Sequence, residues 1–222
     1  MIKKILIIGN SITFHEYAAD RGWLGEWGMA ATAPERDYVH RIAKKAQEYG
    51  CEVRCKNIFD FEKYYYDFQK INPKKYSEEL AFTPDLIVST FGANIRNSAN
   101  ENDSAFENEH IFTKEHYKAI IDFFNPHGTA RVIVGITPLM GSDEVTRAIE
   151  DYAGDYAAAL VHMEDLTDRK YTAYDDREAA VFGKNWIDGV LMHPGDEGMK
   201  EIARRLWTEI ESMIKADEAG EK

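Results

Sequence analysis

Three short apolar runs constrain this chain most: Ile5-Leu6-Ile7-Ile8, LIVSTF (Leu86 to Phe91) and VIVGI (Val132 to Ile136). Each lacks the polar alternation of a strand with one wet face. Each therefore reads as a strand covered on both sides, which is the situation of parallel sheets. The strands are predicted over Lys4–Gly9, Asp85–Phe91 and Arg131–Ile136, with two more over Glu52–Ile58 and Ala158–Met163.

Helical patterns lie between them. Thr32-Ala33-Pro34-Glu35 has the form of a capping box with Pro in the first turn, so a helix is expected to start there. Tyr38, Ile42, Ala43, Ala46 and Tyr49 then share one face, and Gly50 closes it. Further helices are predicted over Thr113–Phe124, Ser142–Tyr152 and Asp196–Ile214. Alternating strands and helices of these lengths give a three-layer α/β/α sandwich around a five-stranded parallel sheet, flavodoxin-like in type. With 222 residues, no internal repeat and no low-complexity linker, the chain reads as one domain over 1–222, its end (Ala216–Lys222) a frayed tail.

A formal charge of −12 argues against nucleic acid or an anionic membrane as partner, because both demand clustered Lys and Arg. The apolar run after Lys3-Lys4 is shorter than a signal-peptide core and no stretch approaches a membrane span, so a cytoplasmic location is expected. Cys51 and Cys55, four apart on one strand, lie about 13 Å from each other at about 3.3 Å per residue. That is too far for a disulfide, and the spacing is not that of a zinc site, so both are expected to be reduced.

In open parallel sheets, ligands bind beyond the carboxyl ends of the strands. Gly9-Asn10-Ser11 follows the first strand, Gly92-Ala93-Asn94 the third, and Asp188-Gly189-Val190-Leu191-Met192-His193-Pro194 precedes the last helix. Each stretch alone is an ordinary turn; the ordered set suits acyl transfer. A serine hydroxyl needs a neighbouring base, the ordinary pKa of a histidine side chain makes His193 a candidate for one, and Asn94 with backbone N–H groups can hold an oxyanion.

Over essentially its whole length the chain resembles the SGNH hydrolases, the GDSL-type esterases and lipases. "GNSIT" is similar to their nucleophile block, with Asn10 where Asp is commoner; "GANI" is similar to their Gly-x-Asn block; "DGVLMHPGDEGM" is similar to their closing Asp…His-Pro block. The resemblance implies Ser11 as nucleophile and His193 as general base. It also implies an oxyanion hole of the Ser11 N–H, Gly92 and Asn94, with no cofactor and no metal.

Two positions depart from the pattern. The aspartate three residues before the histidine is here Val190, so Asp188, five before, is the candidate to orient His193. The second block lacks its glycine: "KNIFDFEKYYYDF" offers instead a backbone N–H near Phe59 or Asp60.

The long loop from Phe14 to Pro34, with Trp23 and Trp27, is either a substrate wall or a pinned Ω-loop. His15 is expected to point away from Ser11, and the remaining histidines form no metal spacing. The aromatic run from Phe59 to Tyr66 is expected to be core for at least half of its rings. The expected activity is hydrolysis of small acyl esters, and the resemblance further implies O-acetyl groups on a carbohydrate. A thioesterase or lysophospholipase of the same fold, and a non-catalytic binding protein, are the alternatives.

Overall fold

The computed structural model describes residues 1–95, 110–174 and 188–220, apart from the side chains of Arg21 and Asp188. Its strands are β1 (Lys4–Gly9), β2 (Glu52–Asn57), β3 (Leu86–Ser89), β4 (Arg131–Ile136) and β5 (Ala159–His162). They form one five-stranded parallel sheet in the order β2-β1-β3-β4-β5. The helices are α1 (Tyr38–Glu48), α2 (Phe59–Lys63), α3 (Ser77–Phe82), α4 (Lys114–Phe124), α5 (Asp143–Tyr156), α6 (Asp188–Leu191) and α7 (Asp196–Gly220).

The three layers follow from the period of two along each strand. In β1, Ile5 and Ile7 pack with Ile42 of α1 and Leu206 and Ile210 of α7. Leu6 and Ile8 face the other way, into Phe61 of α2 and Tyr117 and Phe124 of α4. All four isoleucine and leucine side chains are fully buried, each stabilising the fold by about 1.5–3 kcal/mol. The chain leaves β1 for β2 on one side and returns to β3 on the other. The order reverses there, so the carboxyl ends of β1 and β3 flank the switch-point crevice where ligands bind in such sheets.

Three expectations need correction. The Thr32 capping box does not start α1. Pro34–Arg36 form a 3₁₀ turn, and Asp37 caps the helix by accepting the His40 N–H at 2.7 Å. Thr32 serves a tertiary contact instead, donating its N–H and its hydroxyl to Asp196 at 2.9 and 2.7 Å. The tail does not fray from Ala216: α7 runs to Gly220, where description ends, and Asp217 accepts the Ile2 N–H at 2.9 Å and Arg131 Nη2 at 2.6 Å. Finally, the third strand is shorter than expected, Leu86–Ser89 in place of Asp85–Phe91.

Cys51 and Cys55 are free. Burial raises the pKa of both thiols, that of Cys55 to about 12, so neither offers a thiolate nucleophile at neutral pH.

Candidate active site

The nucleophile turn grows out of a packing constraint. A Cβ on Gly9 would collide with the Thr13 and Thr90 hydroxyls, so only glycine lets β1 end this tightly. The Asn10 carbonyl then accepts the N–H groups of Thr13 at 3.0 Å and Phe14 at 3.1 Å, folding the chain back. Beneath the turn, the hydroxyls of Thr13, Tyr38 and Thr90 close a buried triangle of 2.7, 2.9 and 3.1 Å. Asn10 is fully buried while Ser11 stays partly exposed at the tip. Ser11 Oγ lies 2.7 Å from His193 Nε2, across 182 residues of sequence.

Beside this pair sits a carboxylate that the motif reading did not single out. Glu62 of α2 is buried, with 1% of its surface exposed. Its Oε1 accepts the Gly92 N–H at 2.6 Å, the Asn94 N–H at 3.3 Å and Asn10 Nδ2 at 3.3 Å. Its Oε2 accepts Asn94 Nδ2 at 2.7 Å. Burial pushes the Glu62 carboxyl above its ordinary range, against the pull of these four donors.

The expected role of Gly92 is therefore corrected: its N–H is turned inward to Glu62 and is not available to an oxyanion. Its glycine identity has a separate cause, a φ of +137° and a Met140 methyl 2.5 Å from where a Cβ would stand. Asn94 Nδ2 carries two hydrogens and gives one to Glu62. The Ser11 N–H makes no hydrogen bond to a described residue. Of the second-block candidates, Phe59 is engaged, donating to Asn57 Oδ1 at 2.9 Å.

His193 arrives on a differently built segment. His193 donates its N–H to the Val190 carbonyl at 3.0 Å and accepts the Ala173 N–H at 3.0 Å, while Thr172 and Pro194 form a bridge. Val190 packs into a small apolar cluster with Trp23, Met29, Ala30 and Ala173. The side chain of Asp188, the expected orienting group, lies outside the described residues.

The long loop is pinned, as the Ω-loop alternative has it. Trp23 is fully buried against Trp27, their rings edge-to-face at 5.4 Å, and Met29 N–H donates to the Ser11 carbonyl at 2.8 Å. Of its large apolar side chains, Tyr17 and Leu24 are exposed, at 60% and 65%.

These features suit a comparison with known proteins. No family model and no curated protein matches the chain. One solved structure superposes over 93% of this chain and 94% of its own, with a TM-score of 0.50 and 15% identity. Its fold is that of a known hydrolase. That structure is LAE5, described as an alpha/beta hydrolase enzyme from the metagenome of Lake Arreo, Spain. At 15% identity the likeness speaks for the sheet and its layers and not for any single side chain.

A cavity of about 430 Å³ opens beyond β4 and β5, with Pro138, Leu139, Leu166, Thr172 and Met192 in its wall. Met192, in its wall, immediately precedes His193 in the chain. In the aromatic run, Phe61 and Tyr65 are core, Tyr64 and Tyr66 pack partly against it, and Phe59 is exposed. His15 turns to the Glu16 carbonyl, 2.6 Å from its Nδ1. Among the described residues there is no cluster of three or more metal-ligating side chains, and no helix is long and apolar enough to cross a membrane.

Proposed function

We propose that this protein is a serine esterase that hydrolyses small acyl esters without a metal, its substrate class being O-acetylated carbohydrate. The observation that carries the reading is the 2.7 Å contact of Ser11 Oγ with His193 Nε2 beside the Asn94 amide. Neutral His193 takes the hydroxyl proton as Ser11 attacks the ester carbon. The oxygen that becomes negative is met by the Ser11 N–H and the second Nδ2 hydrogen of Asn94; one such donor is worth about 3 kcal/mol in the transition state. The tetrahedral intermediate collapses when His193 returns the proton to the leaving alcohol. Water then repeats the sequence on the acyl-serine.

The leaving oxygen must depart on the His193 side, which assigns the alcohol portion of the ester to the cavity beside Met192. The carbohydrate assignment draws on the resemblance of the sequence blocks alone.

Ser11→Ala is the direct test. Triads lose about 10⁶-fold in kcat without their nucleophile, so acetate release from acetylated sugars and aryl acetates should vanish in a normally folded variant. A serine-directed phosphonate should inactivate the wild-type protein, and EDTA should not. Retention of a tenth of the turnover by Ser11→Ala would remove Ser11 from the mechanism.

A further inference from the structure

Glu62 is unusual in what surrounds it. All four of its hydrogen-bond partners are N–H donors, two from backbone and two from amide side chains, and they come from the turns after β1 and β3. A neutral carboxylic acid has an O–H that would have to point at one of those donors. A carboxylate accepts all four. The two shortest contacts, 2.6 Å to Gly92 N and 2.7 Å to Asn94 Nδ2, have the lengths of charge-assisted bonds.

The amide of Asn10 is oriented independently. Its Oδ1 accepts the Ile12 N–H at 3.1 Å, which leaves Nδ2 to face Glu62. An aspartate at position 10 would put a second buried carboxylate about 3.3 Å from the first, and like charges that close cannot both ionise. The Asn at position 10, where Asp is commoner in the resembled pattern, thus has a physical explanation in its contact with Glu62.

We propose that Glu62, as a carboxylate, is the positioning residue of the oxyanion half of this site. It ties Asn10, Gly92 and Asn94 to one point, turns the Asn94 NH₂ rather than its oxygen toward the reacting centre, and requires an amide at position 10. The proposal rests on the esterase reading for its effect on turnover, though not for the hydrogen bonding itself. The ionisable groups around Glu62 are few. Its own helix carries Asp60, which is paired with Lys75 at 2.7 Å, and Lys63, while His193 stands across the site. Among the described residues, the β1 and β3 turns that touch it bring no charge.

A double-mutant cycle on p-nitrophenyl acetate tests this, with circular dichroism to certify folding. Glu62→Gln presents an NH₂ to N–H donors and should lower kcat about a hundredfold with KM little changed, the loss typical of a displaced oxyanion donor. Asn10→Asp should cost as much in the wild-type background and no more than a few-fold in Glu62→Gln, because the second carboxylate is then gone. Additive costs, or Glu62→Gln with more than half of wild-type kcat, would overturn the proposal.

An arm that needs neither turnover nor a variant is the Gly92 amide in ¹H–¹⁵N spectra. It should lie far downfield and move upfield as acid protonates Glu62. A Gly92 signal at an ordinary shift that ignores pH would also overturn the proposal. Should the wild-type protein hydrolyse no ester while the Gly92 signal titrates as described, the esterase reading fails and the Glu62 anchor stands.

Discussion

The two sides of the Ser11–His193 contact are built on opposite physical plans. The nucleophile side is buried and polar: a carboxylate, two amides and three hydroxyls are cross-bonded beneath the turns of β1 and β3. The base side is held by backbone bonds and an apolar cushion, and it borders an open cavity with half-exposed Met192 at its edge. A fully satisfied buried polar network specifies one geometry, since breaking any member leaves an unpaired group in low dielectric. An apolar cushion tolerates changes of shape. On the proposed esterase reading, the difference assigns tasks: charge stabilisation belongs to the rigid side, and selection of the alcohol to the side that can vary.

The largest test of that division is Asp188→Asn. If Asp188 accepts the Nδ1–H of His193, the base side too contains a fixed polar partner, and the variant should lose about 10⁴ in kcat, as triad aspartates do. We expect that loss. If backbone alone orients the ring, only a distant Coulomb effect remains, about 2 kcal/mol at 8 Å and an effective dielectric near 20, or some thirtyfold. Stopped-flow or steady-state kcat separates the two. A loss below a hundredfold would reduce the site to a dyad and make the contrast between the sides complete.

The same contrast explains what was legible in the sequence. Ser11, Asn94 and His193 are visible because each follows or precedes a strongly patterned element. The strands of the sheet are visible because burial on both faces leaves an apolar run. Glu62 is hidden inside an aromatic stretch, on a helix of five residues, and nothing local distinguishes a buried Glu from a solvated one. Its only sequence signal is indirect: position 10 is Asn and the glycine of the second block is missing. Thr32 and Asp217 misled for a similar reason. Their partners, Asp196 and Arg131, are distant in the chain, and tertiary hydrogen bonds override local capping preference.

A smaller effect is expected in the cavity. Met192→Trp should fill space beside His193 without touching the oxyanion side. With bulky alcohol portions such as glycosyl acetates, KM should rise about tenfold, within the 1–3 kcal/mol that pocket shape usually commands. With methyl acetate it should not move. An equal loss on both substrates would mean that the alcohol lies elsewhere and that the base side is not the selective one.

The smallest effect lies in the foundation of the rigid side. Asp37 receives the Gly28 N–H at 3.0 Å and the His40 N–H at 2.7 Å, and its Oδ2 is 2.8 Å from His40 Nδ1. Through Gly28 it holds the loop that donates to the Ser11 carbonyl. The hydrogen bond to Asp37 raises the His40 pKa above its ordinary 6.5, against the opposing effect of burial. A raised folded-state value means that the folded protein binds the proton more tightly than the unfolded chain. The stabilisation is therefore complete below about pH 6.5 and is lost as pH rises through the folded-state pKa. His40 is 49% exposed, so solvent screening holds the gain to below about 1 kcal/mol. For a chain of this size that is about 2 °C in Tm. His40→Gln should thus melt about 1–2 °C below the wild-type protein at pH 5.5 and together with it at pH 8.5. A gap that is constant with pH would trace to packing, and one that widens toward alkaline pH would reverse the assigned sign. The first result would show that the rigid side owes nothing to the His40 charge, the second that the charge works against it.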